Sequence, residues 1–186
     1  YQTVYAEKQG SIAAPTAGLH FTEDLIKKIE DSGILIRKLT LHVGVGTFKS
    51  IRSDSVKEHK MEQEYFEIKR SIIDEIIMAK RSDNKIMAVG TTTTRAIEGY
   101  FSGQYSLMNY DDGDVIRGST DVFIYPGFEF KAINALVTNF HLPRSTPLML
   151  LTAFCGFENM SRAYKEAIVK GYRFFSYGDA MLVLKD

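Results

Sequence analysis

Between Thr22 and Gly33 the apolar residues Leu25, Ile26 and Ile29 recur at helical spacing, and Thr22 is placed to cap the first turn. From Ile34 to Val43 the pattern changes to alternation with β-branched residues, which predicts a strand. Glu64 to Ile68 predicts a second, shorter one. Ser71 then stands as a cap before Ile72, Ile73, Ile76 and Ile77, the stripe of a helix ending near Ser82-Asp83-Asn84. Lys85 to Val89 is a compact apolar strand closed by Gly90, and a helix runs from the threonine cluster through Arg95 to Phe101. Ser102 to Ser119 breaks the pattern: Gly103, Gly113 and Gly118 with Asp111, Asp112 and Asp114 predict a long mobile loop. Asp121 to Tyr125 and Ala135 to Asn139 predict strands, with a turn at Pro126-Gly127. Helices follow at Ser145 to Phe154 and Ser161 to Lys170, then strands at Tyr172 to Ser176 and Ala180 to Leu184. Tyr1 to Ala6 reads like the inside of a strand. Strands alternating with helices make the fold α/β, a mixed sheet flanked by helices in a single domain over residues 1–186.

Composition narrows this picture. Of 186 residues, 45% are hydrophobic and 25% charged, ordinary values for a chain that buries a core. Lysine and arginine number 23, aspartate and glutamate 23. That balance excludes a wholly cationic surface while leaving room for a local basic patch. The one cysteine, Cys155, excludes an intrachain disulfide and a Cys-rich zinc site. It also fits a reducing, cytoplasmic setting. The longest apolar run, around Leu148 to Leu151, falls far short of the roughly 18 residues of a membrane span. The chain starts without methionine or a signal-peptide pattern, so the expectation is a piece of something longer.

Candidate chemistry gathers at element edges. Leu41-His42-Val43-Gly44-Val45-Gly46-Thr47-Phe48 follows a strand, and its glycines would let backbone N–H groups approach a ligand, or else serve a tight turn. Lys49 stands where the dinucleotide fingerprint wants a third glycine, so that reading fails. Gly90-Thr91-Thr92-Thr93-Thr94-Arg95 offers hydroxyls, a helix N-terminus and a guanidinium fork for a polar ligand; the bland alternative is an over-capped helix. The four histidines, His20, His42, His59 and His141, lack the spacing of a metal motif. His20, His42 and His141 nevertheless sit at element ends, where imidazole is displayed for proton transfer as readily as for structural hydrogen bonding. Asp179, in a turn between apolar strands, either caps that turn or binds a hydroxyl or cation. Phe174, Phe175 and Tyr177 beside it read as core rather than as base-stacking platforms.

Several blocks occur in one order: Ala13-Ala14-Pro15-Thr16-Ala17-Gly18-Leu19-His20-Phe21, the Leu41 to Phe48 segment, Ala88-Val89-Gly90-Thr91-Thr92, Thr120-Asp121-Val122-Phe123-Ile124-Tyr125-Pro126-Gly127, Thr138-Asn139-Phe140-His141-Leu142-Pro143 and Phe175-Ser176-Tyr177-Gly178-Asp179-Ala180-Met181-Leu182. Together they closely resemble the S-adenosylmethionine:tRNA ribosyltransferase-isomerases of queuosine biosynthesis, over nearly the whole chain. The resemblance implies transfer of the ribosyl part of S-adenosylmethionine to the aminomethyl group of a 7-deazaguanine at the tRNA wobble position. Isomerisation to an epoxycyclopentanediol follows, and adenine and methionine leave. It implies no resident cofactor, since S-adenosylmethionine is consumed as a substrate. It also implies a longer, two-domain enzyme whose β-barrel domain is absent here, this chain being part of the larger domain. His20, His42 and His141 would then move protons and Asp179 would orient a hydroxyl or cation. Gly44, Gly46, Thr47, Gly90, Thr91, Thr92 and Arg95 would hold the donor. Two departures stand out. This chain has Glu62-Gln63-Glu64 where many members have His-Ser-Glu, and Pro147 where a leucine is usual. The first removes a histidine whose role cannot be carried over; the second is tolerated in a helix's first turn.

Two competing readings remain. An S-adenosylmethionine methyltransferase would need a glycine-rich turn leading directly into a helix, and a phosphoribosyltransferase would need acids before its threonine loop, where Met87-Ala88-Val89 stands. Alternatively the chain folds but is inactive without an N-terminal part.

Overall fold

The computed structural model describes residues 1–44, 56–108 and 113–185. Its elements in chain order are α1 (Glu23–Asp31), β1 (Thr40–His42), β2 (Glu64–Lys69), α2 (Arg70–Arg81), β3 (Met87–Val89), α3 (Thr91–Ser102), β4 (Ser106–Leu107), β5 (Val115–Thr120), β6 (Ala135–Asn139), α4 (Thr146–Cys155), α5 (Phe157–Val169) and β7 (Ala180–Leu184). Short 3-10 turns cover Thr16–His20 and Val56–Glu58. One sheet runs β1-β2-β5-β4 with every neighbour antiparallel. The other runs β3-β6-β7, with β3 parallel and β7 antiparallel to β6. The fold is α/β with one antiparallel and one mixed sheet.

Alternation places these elements on a common core. On β2, Phe66 and Ile68 are fully buried while Tyr65 and Glu67 face the other way. They join Ile72, Ile73 and Ile76 of α2, Leu136 of β6, and Leu150 and Phe154 of α4 in one cluster. Each large apolar side chain buried in this way contributes about 1.5–3 kcal/mol. Caps set the helix ends. The Thr22 hydroxyl accepts the Leu25 amide at 3.1 Å, and Gly33 follows α1 in a left-handed conformation (φ +86°). Ser145 caps α4 in the same manner, with Pro147 in the first turn. No residue of α1 is fully buried, so its apolar stripe only partly packs.

Several expected elements are revised. Of the strand expected over 34–43, only Thr40–His42 pairs, and Ile34 and Leu35 lie exposed. Tyr1 to Ala6 forms a turn, the Ala6 amide reaching Thr3 O at 3.2 Å, and not a strand. The loop expected over 102–119 contains β4 and β5, although residues 109–112 lie outside the described residues. Gly118 misled that reading. A Cβ there would stand 2.9 Å from Phe66 Cζ and 2.8 Å from Ser106 O, so the glycine admits a neighbouring ring and strand inside a sheet. Asp121 to Tyr125 is unpaired although Val122 and Ile124 are buried. Tyr172 to Ser176 is likewise not a strand: Phe174 packs 5.0 Å from the Phe140 ring while Phe175 adopts φ +74°. Phe175 and Tyr177, expected in the core, are 49% and 75% exposed.

On the mixed sheet Met87 and Leu184 both pair with Ala135 and Leu182 pairs with Val137, and all three side chains are exposed among the described residues.

Candidate active site

The parallel strands β3 and β6 end side by side, and the polar residues collect at that rim. Gly90 leaves β3 with φ +93°, donates its N–H to Val137 O at 2.8 Å and caps α3. Its carbonyl accepts both the amide and the hydroxyl of Thr94, at 3.1 and 3.0 Å, which locks the first turn. Thr91 and Thr92 are almost wholly buried. A Cβ on Gly90 would lie 3.9 Å from Ala17, so the glycine faces the 3-10 turn that carries His20. β6 ends on Asn139, paired in register with Ala180 of β7. The carboxyl edge of the sheet thus brings together Gly90 to Thr92, His20, Asn139 and the Gly178-Asp179 turn.

Hydrogen bonds tie this cluster. Asn139, 2% exposed, accepts the Thr16 hydroxyl on Oδ1 at 3.0 Å. Its Nδ2 lies 3.2 Å from His20 Nε2 and 3.4 Å from Gly178 O. His20 itself is exposed. Asp179 accepts the Arg173 amide at 2.7 Å and the Arg173 guanidinium at 3.1 Å, so it caps its own turn. Those bonds, the amide first, hold its carboxyl below the ordinary range.

The other candidates are placed elsewhere. His141 is half-buried; its Nε2 lies 2.7 Å from the Thr138 hydroxyl, and its amide donates to the Tyr164 oxygen at 2.7 Å. Burial lowers its pKa to about 4, so at neutral pH the ring is uncharged. His42 belongs to the antiparallel sheet, 5.2 Å from the Tyr65 ring and packed against Gly10, where a Cβ would come within 2.8 Å of it. Arg95 turns inward. Its Nη1 meets Glu64 Oε1 at 2.6 Å, Nε donates to Val122 O at 3.0 Å, and the side chain is 6% exposed. Gly44 lies beside β1, with Glu62 Oε2 3.9 Å from where its Cβ would be. Gly46 and Thr47 lie outside the described residues.

Two groups escaped the sequence. Asn139 reads as a strand terminus, and its only signal is a polar residue ending an apolar run next to Phe140-His141. Glu98 is fully buried and accepts the amides of Lys131, Ala132 and Ile133 at 2.7, 2.9 and 2.9 Å. Nothing in a helical glutamate announces that. A cavity of about 560 Å³ lies between the N-terminal segment and β1–β2, lined among others by Tyr5, Ser11, Leu41, Glu67 and Thr93; no histidine lines it. Among the described residues no group of three His, Cys, Asp or Glu could hold a metal ion, and no helix is long and apolar enough to cross a membrane.

The chain is of the α/β class in which polar groups gather where parallel strands end, the usual place for a ligand in such folds. Within that class a family model described as queuosine biosynthesis protein matches residues 1–183, and the chain belongs to that family. It is 59% identical over 184 residues to the S-adenosylmethionine:tRNA ribosyltransferase-isomerase of Thermodesulfovibrio yellowstonii, covering 99% of this chain and 53% of that relative. The Halothermothrix orenii protein of the same name is 54% identical over 184 residues, covering 99% and 52%. The crystal structure of S-adenosylmethionine tRNA ribosyltransferase from Thermotoga maritima matches with a TM-score of 0.70 at 42% identity, over 90% of this chain and 51% of that one. The chain spans about half the length of the curated relatives it matches.

Proposed function

We propose that this chain works in queuosine biosynthesis, transferring and isomerising the ribosyl part of S-adenosylmethionine onto 7-aminomethyl-7-deazaguanine at the wobble position of tRNA, in the cytoplasm. Epoxyqueuosine forms and adenine and methionine are released. The observation that carries this reading is 59% identity, over 99% of the chain, to a relative named for that reaction. The rim at β3 and β6 supports it by offering polar groups for a nucleoside. Gly90 to Thr92 present a helix N-terminus for the donor, His20 and Asp179 flank it, and Gly44, Gly46 and Thr47 remain candidates, from the sequence, to hold it. His42 and His141 are assigned lesser parts, since one stacks on Tyr65 and the other is a neutral ring bonded to Thr138. The amine of the tRNA base attacks as its own nucleophile. A base must take a proton from the carbon beside the sulfonium, and a donor must help adenine depart.

A second reading follows from length: at about half the span of its relatives, the chain supplies one wall of the site and turns over only with the remainder. The test is to incubate the chain with S-adenosylmethionine and an anticodon stem-loop carrying the modified wobble base. The complete Thermodesulfovibrio yellowstonii relative runs in parallel. Free adenine from the chain supports the first reading, and adenine from the relative alone supports the second. S-adenosylhomocysteine from either would overturn both in favour of methyl transfer.

A further inference from the structure

The amide of Asn139 has only one orientation that satisfies its neighbours. Gly178 O can only accept, so the atom 3.4 Å from it must be the Asn139 nitrogen, which carries two hydrogens. The other of those hydrogens is left for His20 Nε2, 3.2 Å from the same nitrogen. The remaining side of the amide, Oδ1, receives the Thr16 hydroxyl at 3.0 Å, which agrees with that orientation. A nitrogen facing an N–H donor must offer its lone pair. His20 Nε2 is therefore unprotonated, and a neutral ring then carries its hydrogen on Nδ1. The two ring nitrogens point in nearly opposite directions, and His20 is exposed while Asn139 is buried. Nδ1 is thus the nitrogen of this exposed ring that the amide leaves unengaged.

We propose that Asn139 is a positioning residue that fixes His20 as its Nδ1–H tautomer, so that the ring offers a nucleoside an N–H donor and not a basic nitrogen. The ligand atom it suits is an acceptor, such as a ribose hydroxyl oxygen or a ring nitrogen of a purine. Removal of the proton beside the sulfonium then falls to another group. This inference rests on the reading of the rim as the reaction site.

The tautomer is read directly by long-range 1H–15N correlation on protein labelled at its four histidines, with His20→Gln identifying the signal. The wild type is expected to show Nδ1–H at neutral pH. Asn139→Asp places an acceptor opposite Nε2 and is expected to reverse the tautomer, while Thr16→Val leaves it unchanged because Gly178 O still orients the amide. Nε2–H in the wild type, or no change in Asn139→Asp, would overturn the proposal without reference to any assay. In whichever form of the protein releases adenine, Asn139→Asp is expected to lower kcat at least ~10-fold with KM for the donor within about twofold. A reversed tautomer with undiminished turnover would remove His20 from the reaction and leave the Asn139–His20 pairing standing. Lost turnover with an unchanged tautomer would overturn the positioning role.

Discussion

Glu98 sits at full burial with three backbone amides, those of Lys131, Ala132 and Ile133, donating to its carboxylate. Bonds to a charged acceptor contribute about 1.5–3 kcal/mol each, and orphaned buried amides carry a desolvation penalty besides. Glu98→Ala should therefore lower unfolding free energy by at least ~3 kcal/mol in a urea titration; a loss below about 1 kcal/mol would mean that water replaces the carboxylate. His141 makes a pH prediction. Its folded pKa near 4 lies below the unfolded value of about 6.5, so the neutral ring favours folding. That contribution is complete above about pH 6.5 and drains away as pH falls toward 4, amounting to at most about 3 kcal/mol. Comparing denaturation at pH 7 and about pH 4.5, His141→Gln should lose less stability than the wild type; parallel losses would refute it. At this scale the sequence was legible where residue type and position agreed. His20, Gly90 and Asp179 announce themselves beside glycines and element ends. Asn139 and Glu98 do not, because their importance comes from partners far along the chain (Thr16 and His20 for one, Lys131 to Ile133 for the other).

Among elements, α3 and β5 meet where both chains are stripped of bulk. Gly99 lies within α3, where alanine would ordinarily gain up to about 1 kcal/mol of helix propensity. Its Cβ, however, would stand 2.5 Å from Thr120 Oγ1. That hydroxyl is not free to swing, since it donates to Gln104 O at 2.6 Å and accepts the Val122 amide at 3.2 Å. Overpacking costs about 1–3 kcal/mol, so the clash outweighs the propensity. Gly99→Ala is expected to lower Tm, and a raised Tm would show that β5 yields. Periodicity exposed the helices and the strands β2, β6 and β7 because their apolar residues recur at a helical or strand period or stand in one short run. It concealed β5, whose Val-Ile-Arg-Gly-Ser-Thr mixes polar groups and a packing glycine into a central strand. It over-extended β1, since 34–39 has strand composition but pairs with no strand among the described residues. Between Tyr172 and Ser176 aromatic bulk imitated a strand. There the rings close around Phe140 and the backbone bends, as φ +74° at Phe175 records.

Across the whole molecule, Arg95 of α3 reaches Glu64 of β2 and so joins helix and antiparallel sheet through a buried ion pair. Removing one member of such a pair strands the other, at about 3–5 kcal/mol. Arg95→Met should thus be strongly destabilised in a thermal melt, and Arg95→Met with Glu64→Leu should recover much of the loss. A melt unchanged by Arg95→Met, with S-adenosylmethionine binding lost, would instead restore the guanidinium to the ligand. The mixed sheet has the opposite character. Among the described residues, Met87, Leu182 and Leu184 form an exposed apolar row, and β7 pairs with β6 alone. Excluded salts raise the reward for hiding such a surface. In an ammonium sulfate series, light scattering from the chain should rise at a lower salt concentration than from a Leu182→Lys, Leu184→Lys variant. On that expectation, how early the chain leaves solution is set by one short row of leucine and methionine.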